Sequence, residues 1–151
     1  MFPLTISGRI ESASISAEQV PVLVAGLSSA LARARASDVT CAGNALAFRA
    51  GIFRLVFSWN VLVPVGSGAI QVLAGTAGSV RYRFSCVQML VVISIMTLSL
   101  AMLIPRTEPL AWRIGAPIVL WLWLFGMNYM VASFRLPAFL RRALSDAKTA
   151  N

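Results

Sequence analysis

The sequence predicts an α+β membrane protein. It divides into a small cytoplasmic β-α-β(4–5) domain of one sheet and one helix over residues 1–85, a two-helix transmembrane hairpin over 86–134, and a short basic amphipathic tail over 135–151. Three observations carry that reading. Two uncharged apolar runs, about 86–104 and 115–134, approach the roughly 20 residues a helix needs to cross about 30 Å of hydrocarbon. The composition is 58% apolar and 12% charged, with mean hydropathy +0.80, whereas soluble domains carry about 25% charged residues. Ahead of the runs, apolar residues alternate or recur at helical spacing between Gly, Pro and Asn breaks, as a folded domain requires.

In chain order, Leu4, Ile6, Gly8 and Ile10 alternate with Thr5, Ser7, Arg9 and Glu11, the pattern of a half-buried strand. Val20, Leu23, Val24, Leu27 and Leu31 then recur at helical spacing, and Ser16 with Gln19 offers a capping box ahead of them. Pro21 conflicts with a start at that cap, since proline fits best in the first turn, and so moves the expected start toward Gln19. The helix is expected to end around Arg35, where basic side chains suit the last carbonyls. The apolar stretch 20–32 is not a signal peptide: Glu11 and Glu18 precede it where a positive segment is needed. Residues 39–42 and 45–49 read as a hairpin about Gly43-Asn44.

Residues 52–60 read as the most aromatic strand. Phe53, Leu55, Phe57 and Trp59 on one face are expected to pack on Val20, Leu23, Leu27 and Leu31, and Arg54 and Val56 lie on the other. A loop over 60–68 follows, with Gly66-Ser67-Gly68 as a tight turn, and a last hairpin pairs 69–74 with 80–85, its return strand pointing Arg81 and Arg83 outward. Ser85 runs straight into Cys86, so the sheet is held close to the membrane surface without a linker. After the spans, Pro137 opens a short helix that sets Phe139 and Leu140 against Arg141 and Arg142, a pattern suited to the headgroup region.

The net charge of +8 fits anionic lipid better than nucleic acid, because Arg81, Arg83, Arg135, Arg141, Arg142 and Lys148 flank the spans. Against them stand only Arg106 and Arg113 in the connector, which places both termini in the cytoplasm. One lysine among thirteen basic residues fits a GC-rich bacterial genome and hence a bacterial inner membrane. Cys41 and Cys86 lack metal or redox spacing and read as small buried apolar residues.

The residue inventory argues against catalysis. Histidine is absent, and Glu11, Glu18, Asp38, Glu108 and Asp146 form no close pair, so no metal, haem or acid–base centre is expected and no cofactor is implied. Within the spans, Ser94, Thr97 and Ala101 form a small-residue stripe, Gly126 allows close approach, and Asn128 is expected to make an interhelical hydrogen bond. Trp121 and Trp123 lie below the interfacial belt as candidate contacts for a partner.

The sequence thus predicts a non-catalytic, membrane-anchored interaction protein, an accessory subunit whose partners are lipids and other integral membrane subunits. Its candidate interaction residues are Arg54, Val56, Arg81, Arg83, Trp121, Trp123 and Asn128, and its membrane-surface residues are Phe139, Leu140, Arg141 and Arg142. The alternative is a tethered module that holds a lipid or other apolar ligand between the aromatic strand and the helix.

Overall fold

Alternating residues need a sheet and recurring ones a helix to bury their apolar faces, and the computed structural model joins the two in one core. It describes residues 4–12, 14–49, 62 and 64–149. The elements are β1 (Thr5–Glu11), α1 (Gln19–Arg33), β2 (Ser37–Ala42), β3 (Ala45–Arg49), β4 (Ser67–Leu73), β5 (Ser79–Ser85), α2 (Val87–Leu103) and α3 (Leu110–Thr149). The five strands form one antiparallel sheet in the order β1-β5-β4-β3-β2.

The expected β2–β3 hairpin turns at Gly43-Asn44, with Gly43 at φ +58°, a conformation glycine adopts without steric cost. β3 pairs directly with β4 (Phe48 opposite Gly68, Arg49 opposite Ser67), so Ser67 and Gly68 belong to a strand and not to the tight turn the sequence suggests. β1 lies beside β5, with Ile6 opposite Phe84 and Ile10 opposite Val80. The expected strand over 52–60, with Phe53, Arg54, Leu55, Val56, Phe57 and Trp59, lies outside the described residues.

One face of the sheet is buried. Ile6, Ile10, Leu46, Phe48, Ile70, Val72, Val80 and Phe84 share a core with Leu23, Val24, Leu27, Ala30 and Leu31 of α1. Within it the Phe48 and Phe84 rings lie 5.8 Å apart and Tyr82 stacks on Phe84 at 5.4 Å. The expected capping box is present: the Ser16 N–H donates to Gln19 Oε1 (3.1 Å) and the Gln19 N–H donates to Ser16 Oγ (3.3 Å).

At the other end of α1, the Arg35 N–H donates to the Ala32 carbonyl and the Ala36 N–H to the Leu31 carbonyl, the paired bonds of a Schellman ending. That ending needs a left-handed residue, and Arg35 fills it at φ +59° where glycine is the usual occupant. Arg35→Gly should therefore raise stability by about 1 kcal/mol, read as a higher unfolding midpoint in detergent.

α3 is a single 40-residue helix that runs through Pro117 and Pro137. The expected separate tail is its last third. Continuing through Pro137 costs about 3 kcal/mol, and burial of Leu136, Leu140, Ala143, Leu144 and Ala147, in the part of α3 that meets α1 and β1, offsets it. α3 therefore completes the layer over the sheet. Lys148 Nζ fixes its end by donating to Ser12 Oγ (2.7 Å).

The rest of α3 packs along α2. Among the described residues α3 is the one helix long and apolar enough to cross a membrane. α2 is apolar but has 17 residues, so of the two-helix transmembrane hairpin expected from the sequence the structure shows one candidate span.

Candidate interaction surfaces

The polar positions of the strands share the outer face. Arg9 of β1, Arg81 and Arg83 of β5 and Arg49 of β3 are all exposed there. The register makes Arg9 the direct cross-strand partner of Arg81, with Gln71 on the other side of Arg81. Arg83 lies between Ser7 and Ala69, and Ala69 pairs with Ala47. The result is a flat floor of Ser7, Ala45, Ala47 and Ala69 edged by guanidinium groups. Glu11 and Asp38 sit at opposite margins of the face.

Like charges at directly opposed positions are unfavourable by a few tenths of a kcal/mol. The nearest carboxylate in the register is Glu11, two residues along β1 and diagonal to Arg81, at the margin of the face and not between the two arginines. The sequence singles out Arg81 and Arg83 but misses Arg9 and Arg49. Their outward alternation is visible, yet only the β1–β5 and β3–β4 registers bring them to the same surface.

Between the helices, Trp121 Nε1 donates to Ser94 Oγ at 2.9 Å, and the Trp121, Phe125 and Tyr129 rings stack in sequence at 5.3 and 6.1 Å. Trp121 is thus an internal fastener of the α2–α3 pair. Trp123 points outward, 61% exposed. Asn128 does not make the expected interhelical bond: it is exposed, and its Nδ2 donates to the Leu124 carbonyl of its own helix at 2.7 Å. One turn of helix returns the amide to its own backbone, whereas Trp121 faces Ser94 directly. Thr97 of the small-residue stripe is buried and bonds back to the Ile93 carbonyl.

The expected membrane-surface residues separate. Arg141 and Arg142 are exposed, Phe139 is half-buried against the core, and Leu140 is fully buried within it. Leu140 is therefore not a lipid contact, because the face of α3 that carries it meets the domain. Of the two cysteines expected to be buried, Cys86 is, whereas Cys41 is exposed because it lies near the end of the edge strand β2. In the native protein a maleimide should label Cys41 alone, and both thiols should react after denaturation, as counted by intact mass.

Among the described residues no three cysteine or carboxylate side chains converge on a point that could hold a metal ion. The inner face of the sheet is filled by α1 and α3. No family model matches the chain, and no curated protein or solved structure matches it either.

Proposed function

We propose that the chain is a non-catalytic, membrane-anchored interaction protein, an accessory subunit of a larger bacterial inner-membrane assembly. The observation that supports it is the continuous apolar surface left exposed on α2 and on α3 up to Phe134, including Ile95, Leu98, Met102, Val119, Leu122 and Trp123. So large an uncovered apolar band is not sustained in water.

Its ends match a bilayer. From Ile114 to Phe134 the helix rises about 30 Å, the thickness of the hydrocarbon core, and Arg113 and Arg135 bound that segment. α2 with its flanking Cys86 and Ile104 falls at the short end of the 17 to 25 residues that spans use, and its packing on α3 supports reading it as the second span of a hairpin. The balance of basic residues supports a cytoplasmic position for the sheet domain and both termini.

Topology is tested by Glu108→Cys in a Cys41→Ser background: an impermeant maleimide should label intact spheroplasts, and labelling only after the cytoplasmic side is opened would reverse the orientation. The subunit reading expects a defined partner to copurify at fixed stoichiometry in mild detergent. A homogeneous partner-free monomer would overturn it.

A further inference from the structure

Two contacts fix how the sheet stands relative to the helices. The Cys86 N–H at the start of α2 donates to the Leu4 carbonyl (2.7 Å), and Lys148 at the end of α3 reaches Ser12. β1 and the last third of α3 therefore run side by side away from the α2 junction. From Leu4 to Ser12 is about 26 Å of strand, and from Arg135 to Lys148 about 20 Å of helix. α3 and α1 cover the inner face, so the outer face looks sideways from the α3 axis. On the membrane reading above, which this inference deepens, that direction lies along the bilayer plane.

Height decides between lipid and protein. The headgroup layer adds only about 5 to 8 Å beyond the hydrocarbon on each side, which brings it to the row of Thr5, Ser67, Ser85 and Arg49. Arg9 and Arg81 lie four strand residues beyond that row, about 13 Å higher. Headgroups reach the lower margin of the face and leave the Arg9–Arg81 pair untouched. A neighbouring protein standing beside the domain meets all four arginines, and the alanine and serine floor lets its backbone approach closely.

We propose that this outer sheet face docks a carboxylate-rich surface of a neighbouring membrane protein. Acidic side chains settle between Arg9, Arg81 and Arg83, relieving the repulsion that the register builds in. Arginine suits the role because its planar fork takes a carboxylate in two parallel bonds.

The test uses the full chain in phosphatidylcholine nanodiscs, with a fluorescein-labelled ten-residue polyglutamate as probe and fluorescence anisotropy as readout. Wild type should bind saturably, and more weakly as salt rises. Arg81→Gln/Arg83→Gln, exposed changes that leave the core intact, should bind about tenfold more weakly. Arg106→Gln/Arg113→Gln, which removes equal charge from the far end of the helices, should bind like wild type.

Absence of saturable binding, or equal loss in both variants, would overturn the proposal. So would Arg81/Arg83-dependent capture of phosphatidylglycerol vesicles by a chain that ignores the peptide. Carbonate extraction of native membranes separates this from the reading beneath it. If the chain stays in the pellet while the peptide fails to bind, only the docking proposal falls; if it is released, the membrane reading falls whatever the peptide does.

Discussion

Leu140→Ala should destabilise the sheet domain by about 2 to 5 kcal/mol, the cost of emptying a fully buried leucine site that neighbours only partly refill. A domain of this size is stable by about 5 to 15 kcal/mol, so the loss takes a large share of the total and should lower the folded yield visibly. The neighbouring Phe139→Ala, half-buried at the edge of the same core, should cost less, and Arg141→Ala, exposed, should stay within about 0.5 kcal/mol of wild type. Denaturant unfolding in detergent, followed by circular dichroism, ranks the three. A headgroup role for Leu140 predicts the reverse, with stability unchanged and vesicle affinity lost.

That contrast marks where the sequence is legible and where it stops. The period-two alternation of 4–12, the Gly43-Asn44 reversal and the Ser16–Gln19 box are local patterns with local causes, and each appears in the structure at its expected place. The destination of the last helical stretch is not local. Leu136, Leu140, Ala143, Leu144 and Ala147 form an apolar stripe, and a stripe says that something covers it without saying whether lipid or a sheet does. Pro137 adds to the ambiguity by resembling a helix start.

A physical clue to that destination lies in the sheet. Five strands spaced about 4.8 Å apart make a face about 20 Å wide, and one helix about 10 Å across covers half of it. A second covering helix is required, and α3 is the one that arrives. The arginine face is legible only in part for a related reason. Alternation points Arg9, Arg49, Arg81 and Arg83 out of their strands, whereas the pairing of the first strand with the last is a choice of topology that no short window encodes. Trp121 makes the interhelical bond expected of Asn128 because helical periodicity gives the side on which a residue lies within some tens of degrees, and a hydrogen bond needs closer aim.

Substitution of Gly26 should separate the two covering helices. A β-carbon built there would lie 2.6 Å from the Ala147 Cβ of α3, closer than real carbons approach, and neither atom belongs to a side chain that can swing away. Helix propensity alone predicts that Gly26→Ala gains about 1 kcal/mol in the middle of α1; overpacking costs about 1 to 3 kcal/mol and should outweigh it, with Gly26→Leu at the upper end of that range or beyond. Ala147→Gly alone loses about 1 kcal/mol of propensity and contact. Combined with Gly26→Ala it moves one methyl from α3 to α1 and leaves the space between the helices filled as before. The double variant should therefore be more stable than the sum of the singles by about 1 kcal/mol or more, measured as a coupling energy from four unfolding curves. Simple additivity of the two changes would mean that α1 and α3 do not meet at Gly26, and the last third of α3 would have to be placed elsewhere than over the sheet.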